Sequence, residues 1–148
     1  MVEIFELSPI MLGNSDYILV IEDSKAETHL LLQTLKMHNF PARVRVMHSG
    51  QDALKELKSL HEDFPGMILL DLRLPDIDGI EILREIKANS KTQHIPVIIR
   101  TGSHDPRDKK RCMELGVMDY MYKSMEYESV EQQVLRLNQH WDSFPRED

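Results

Sequence analysis

Short β-rich apolar runs alternate with helix-period stretches five times along the chain, and few folds accept that order. Parallel neighbours need a crossover between them, so such a series builds a parallel sheet with helices on its faces. Tyr17 to Ile21 (YILVI) is apolar throughout, the form of a strand buried on both faces. A helix follows, with Ser24 as N-cap, Glu27 three residues on as a capping box, and Leu31, Leu32 and Leu35 on one stripe ending near His38. The series continues with a strand over 44–47, a helix over 51–60, and a third strand over 67–70. Pro75, Asp76, Asp78 and Gly79 then form a loop, with Asp76 and Asp78 shaping it and capping a helix that runs to Lys87. A fourth strand is read over 95–99, with Pro96 near its start, followed by a helix from Pro106 to Leu115 with Gly116 at C′. The fifth strand covers 117–122, and Val130, Val134, Leu137 and Trp141 give a last amphipathic helix.

A chain of 148 residues fits one domain, since about 100 to 200 residues is the usual domain size. Residues 1–16, ending in the turn-rich Gly13-Asn14-Ser15-Asp16, read as an N-terminal extension, 17–142 as the domain and 143–148 as a tail. The 25 residues after Lys123 leave room for one helix and that tail, so no output domain is expected. A formal charge of -7 argues against a surface that grips nucleic acid or anionic lipid, so direct DNA binding is not expected. Cys112 is the lone cysteine, which excludes an intrachain disulfide and a cysteine-based metal cluster and suits a reducing cytosol. No two of the seven histidines fall three to five positions apart, so a metal here would be held by oxygen. No apolar run nears the roughly 18 residues of a membrane span, and the amino terminus does not read as a signal peptide. The expected location is cytoplasmic.

In an open parallel sheet, ligands bind beyond the carboxyl ends of the strands near the switch in strand order. Strand one ends in Glu22-Asp23, strand three in Asp71, strand four in Thr101 and strand five in Lys123. Three carboxylates, a hydroxyl and an ammonium therefore meet at one rim, a donor set suited to Mg²⁺. The chemistry that uses it is phosphoryl transfer onto a carboxylate, with Asp71 as the best-placed nucleophile. Glu22 and Asp23 would hold the cation, Thr101 would hydrogen-bond a phosphoryl oxygen, and Lys123 would pair with another or with Asp71 in the empty site.

These residues carry a resemblance. Glu22-Asp23-Ser24, the run Leu70-Asp71-Leu72-Arg73-Leu74-Pro75-Asp76-Ile77-Asp78-Gly79, Thr101-Gly102 and Lys123 resemble the response-regulator receiver domain of two-component signalling, over about Tyr17 to Trp141. The resemblance implies a flavodoxin-like (βα)5 doubly wound sheet with strand order 2-1-3-4-5, and Asp71 as phospho-acceptor. It implies Mg²⁺ held by Glu22, Asp23, Asp71 and the Arg73 backbone carbonyl, and a sensor histidine kinase or phosphotransfer protein as donor in a phosphorelay. It also implies that Arg73 and Ser103 tune the lifetime of the phosphoryl group, and that Tyr120 is a candidate switching aromatic. Two positions depart from the family pattern. Ser124 follows Lys123 where a proline with a cis bond is usual, and Arg100 stands in the fourth strand, which then either ends at Ile99 or lets the arginine reach an edge.

The expected function is a stand-alone, CheY-like response regulator, a phospho-acceptor with self-dephosphorylation rather than an enzyme, signalling through contacts with a downstream protein. A symmetric homodimer through helix four, strand five and helix five is also expected, with Val117, Met118, Met121 and Tyr122 near Trp141 as apolar material. Lys109, Lys110 and Arg111 would pair there with Asp119, Glu126 or Glu128. The alternative is a pseudo-receiver or receiver fragment that binds partners constitutively. A phosphohydrolase would need a second acid two positions after Asp71, where Arg73 stands, and a flavin protein would need a Ser/Thr/Gly-rich loop after Ile21.

Overall fold

The computed structural model describes residues 2–5 and 17–144. The Gly13-Asn14-Ser15-Asp16 turn and residues 145–148 lie outside the described residues. The elements run β1 (Val2–Phe5), β2 (Tyr17–Ile21), α1 (Lys25–Met37), β3 (Arg43–Met47), α2 (Gly50–Ser59), β4 (Met67–Leu70), α3 (Gly79–Ala88), β5 (Val97–Thr101), α4 (Pro106–Glu114), β6 (Asp119–Tyr122) and α5 (Tyr127–Ser143).

Five strands are parallel in the order β3-β2-β4-β5-β6, the 2-1-3-4-5 order of the flavodoxin-like fold. β1 adds a sixth strand, antiparallel to β3, within the segment read as an extension. Each helix buries its stripe against one of two apolar layers, because alternate strand residues point to opposite faces. Tyr17, Leu19 and Ile21 of β2 join the layer under α2, α3 and α4, whereas Ile18 and Val20 join the layer under α1 and α5. Each fully buried Ile or Leu contributes about 1.5–3 kcal/mol.

Side-chain caps set the helix starts. Ser24 accepts from the Glu27 N–H, Ser49 from Asp52, Asp78 from Ile80 and Asp105 from Arg107. Gly116, at φ +82°, closes α4 as the C′ glycine. The strand read over 95–99 runs instead over Val97–Thr101. Ile95 is buried before it, and the Pro96 carbonyl accepts from the Ile68 N–H, so pairing starts one residue past the proline.

Candidate functional site

Strand register assembles the site. Ile21 of β2 pairs with Leu70 of β4, so Glu22-Asp23 and Asp71 leave the sheet side by side, and the Asp71 N–H donates to the Ile21 carbonyl at 3.1 Å. On the other flank Thr101 pairs with Tyr122, and the Lys123 N–H donates to the Thr101 carbonyl at 2.9 Å. Gly79 completes the floor. A Cβ there would lie 2.4 Å from the Asp71 carbonyl oxygen and 2.5 Å from the Leu72 Cα, so only glycine lets α3 begin this close to the acidic strand end.

Lys123 Nζ donates to Glu22 Oε1 at 2.6 Å, Glu27 Oε2 at 2.7 Å and Asp71 Oδ2 at 2.7 Å. Its three N–H bonds are thereby used. Burial lowers the lysine's proton affinity, but these carboxylates outweigh it and hold the ammonium above its ordinary range. Asp71 is only 2% exposed, and its Oδ1 accepts from the Arg73 N–H at 3.1 Å. Carboxylate oxygens of Glu22, Asp23 and Asp71 lie within 4.8 Å of one another. Burial pushes the Glu22 carboxyl up to about 7 despite its bonds from Lys123 and the Ser24 N–H. The three carboxylates are hard oxygen donors of the kind that fit a divalent cation.

Glu27 is the site residue the sequence reading missed. The capping box expected of it does not close: the Ser24 N–H donates to Glu22 Oε2 at 2.9 Å, and the Glu27 carboxylate turns to Lys123. Its position in the first turn of α1, directly after an acidic strand end, was the available signal. Arg73 also has a second attachment. Its Nη2 donates to Asp108 Oδ2 at 2.5 Å and to Ser103 Oγ at 3.1 Å, and Ser103 Oγ donates to the same Asp108 oxygen at 2.6 Å. The Ser103 N–H meets Thr101 Oγ1 at 3.2 Å, so the residues two after Asp71 and two after Thr101 are joined to each other and to α4.

Other expected positions fall differently. Asp78 caps α3, but Asp76 accepts from Ser49 Oγ, the Gly50 N–H and the Gln51 N–H, and so caps α2. Tyr120 is buried, and its hydroxyl has no hydrogen-bond partner among the described residues. Burial, with the Cys112 thiol and Asp108 adding to it, pushes that phenol up to about 12. Val117 and Met121 face the core and Met118 packs against it, while Trp141 packs edge-on against Phe40, leaving Tyr122 exposed at 38%. Asp119 is bonded to Arg136 and His140 of its own chain. Arg100 satisfies neither of its two expected arrangements: it lies within β5, 3% exposed, bonded to Gln133. No peptide bond among the described residues is cis, and the Ser124 hydroxyl accepts from the Glu126 N–H.

Comparison with known proteins agrees with this geometry. Residues 18–135 match the response regulator receiver domain family. The probable methanogenesis regulatory protein FilR2 of Methanothrix harundinacea is 34% identical over 84% of this chain and 82% of its own. Response regulator Rcp1 of Synechocystis is 35% identical over 84% of this chain and 87% of its own. The crystal structure of Mn²⁺-bound Rcp1 superposes with a TM-score of 0.79 at 32% identity, covering 90% of this chain and 99% of Rcp1. That of the phosphorylated cyanobacterial phytochrome response regulator RcpA gives 0.78 at 31% identity, covering 88% and 96%. With its parallel order, its acidic strand ends and these relatives, the chain belongs to the response-regulator receiver domains of two-component signalling.

Proposed function

We propose that Asp71 accepts a phosphoryl group from a phosphohistidine of a sensor histidine kinase or phosphotransfer protein. The observation that carries this is the Asp71 carboxylate, buried at the end of β4, within 4.8 Å of the Glu22 and Asp23 oxygens and held by Lys123 at 2.7 Å. Transfer forms a P–O bond at an Asp71 oxygen and breaks the P–N bond of the donor, and the imidazole leaves with a proton. Mg²⁺ is the proposed ion, held by Glu22, Asp23, Asp71 and the Arg73 backbone carbonyl, and when bound it screens the repulsion between carboxylate and phosphoryl group. Lys123 would exchange its bond to Asp71 for one to a phosphoryl oxygen, and the Thr101 hydroxyl would donate to another. Arg73 bounds the approach of attacking water and so sets the rate of self-dephosphorylation. The Mn²⁺ of the Rcp1 structure and the phosphorylated state of RcpA support the reading.

A small phosphodonor with Mg²⁺ is expected to add one phosphoryl group, read by intact mass. Asp71→Asn keeps the shape but is a far poorer nucleophile, so undiminished labelling of that variant would overturn the assignment. Asp23→Ala is expected to weaken Mg²⁺ binding and slow labelling. Output passes through protein contacts on α4, β6 and α5, and a homodimer through that surface rests on exposed Tyr122 and Met113 beside Lys109, Lys110 and Arg111. Sedimentation at several concentrations, with and without a phosphoryl mimic, tests the dimer. A monomer throughout would exclude it.

A further inference from the structure

Arg100, one of the two departures from the receiver pattern, shares a side chain with the end of β6. Arg100 Nε donates to Gln133 Oε1 at 2.9 Å, and Gln133 Nε2 donates to the Tyr122 carbonyl at 2.5 Å. Both residues are more than nine-tenths buried. The Tyr122 carbonyl belongs to the peptide unit whose nitrogen is Lys123's own, so the α5 amide fixes the backbone from which the site's ammonium reaches Asp71. Arg100 also lines a cavity of about 10 Å³ together with Glu22 and Asp71, and its Nη2 has no hydrogen-bond partner among the described residues. A guanidinium keeps its proton under all ordinary conditions, so the site has a fixed buried cation behind its carboxylates.

We propose that Arg100 and Gln133 form a buried positioning brace for phosphoryl transfer: Gln133 holds Lys123 in place through the Tyr122 carbonyl, and Arg100 supplies a fixed counter-charge behind Glu22 and Asp71. The proposal rests on the acceptor role of Asp71. The two arms have different consequences. A fixed cation near the carboxylates opposes binding of a second cation, yet it stabilises the extra negative charge that a phosphoryl group brings to Asp71. The amide arm carries no net charge and acts only on where Lys123 stands. A buried guanidinium with an unpartnered nitrogen is costly to the fold, and replacing such a charge with an apolar side chain of similar volume is often neutral or stabilising.

Two variants separate the arms. Arg100→Met removes the charge and keeps the volume. It is expected to melt no lower than the parent and to bind Mg²⁺ about fivefold more tightly by NMR titration. Its maximal labelling rate should be about tenfold slower. Unchanged or weaker Mg²⁺ binding in the folded variant would overturn the counter-charge. Gln133→Met keeps the volume and leaves the charge of Arg100 uncancelled but loses the donor to the Tyr122 carbonyl. It is expected to shift the NMR signals of the Lys123 side chain and slow labelling about tenfold, with Mg²⁺ half-saturation changed less than twofold. Lys123 signals identical to the parent's would overturn the amide arm. The titration and the Lys123 signals need no phosphoryl transfer, so a parent chain that takes no label sinks the acceptor reading while these readouts still decide the brace.

Discussion

Lys123 ties the charged groups of the rim together. One ammonium answers three carboxylates, Glu22, Glu27 and Asp71, so an arriving divalent cation or phosphoryl group must displace or share bonds already made. Removing Glu27 deletes one of the three without touching the acceptor. Glu27→Gln is therefore expected to speed the exchange of Lys123 toward a phosphoryl oxygen, read as faster labelling at saturating Mg²⁺; an unchanged rate would show that Glu27 is a spectator. Cys112 is the contrasting case. Burial, with Asp108 and Asp78 adding to it, pushes its thiol up to about 11 from 9.0. The folded state holds the proton more tightly than the unfolded one, so this contribution to stability is complete below pH 9.0 and lost as pH rises through about 11. At pH 8 the native thiolate fraction is about 100-fold below that of a free thiol. Alkylation of the native chain by iodoacetamide should accordingly be slow and should accelerate in urea, and equal rates in both would refute the burial argument.

Loops and helix starts hold the acidic strand ends in register, and Asp76 is the clearest instance. It ties the loop after β4 to the first turn of α2 through Ser49, Gly50 and Gln51, and these bonds outweigh desolvation and hold its carboxyl below the ordinary range. Its contribution is present above pH 3.8 and lost as pH falls below it. Asp76→Ala should lower stability by about 1 kcal/mol in urea melts, the usual cost of a lost cap. Gly79→Ala should cost about 1–3 kcal/mol by overpacking, and because the new Cβ meets the Asp71 carbonyl it should also slow labelling, which Asp76→Ala should do far less. A pair of variants equal in both readouts would contradict the contact. Such long-range ties are what the sequence does not display. The parallel strands read within two residues because each is a short apolar run, and Glu22, Asp23, Asp71, Thr101 and Lys123 fall at the strand ends because each stands where such a run stops. Asp76 sits nearest α3 in sequence, so its bond to α2 is invisible there. Val2–Phe5 pairs at an edge where four residues give no usable period, and Arg100 and Gln133 are 33 positions apart with ordinary-looking neighbours.

Across the molecule, the site is joined to the α4 surface by bonds rather than by proximity alone. Thr101 Oγ1 accepts from the Ser103 N–H, Ser103 Oγ donates to Asp108, and Arg73 donates to both Ser103 and Asp108. A phosphoryl group on Asp71 brings a charge of about -1.5 to -2 and three acceptor oxygens. The Thr101 hydroxyl is one donor of suitable type at the rim and the Arg73 guanidinium another, the latter already bonded to Ser103 and Asp108; if Arg73 turns toward the new charge, Asp108 loses a partner while buried at the start of α4. Asp108 would keep the Ser103 hydroxyl but lose its countercharge, which is costly for a buried carboxylate, so the first turn of α4 is expected to move or loosen to solvate it. The expected outcome is faster amide exchange over residues 103–112 when a phosphoryl mimic is bound. Coupling through this chain of contacts also requires that Ser103→Ala shrink the difference, since the link from Thr101 to Asp108 runs through its hydroxyl. Tyr120, buried beneath α4 with Lys109 5.9 Å from its ring, reports the same displacement from below, through its ring signals. Identical exchange with and without the mimic across residues 101–125 would mean that phosphorylation stops at the rim, and that output is carried by the charge of the phosphoryl group alone.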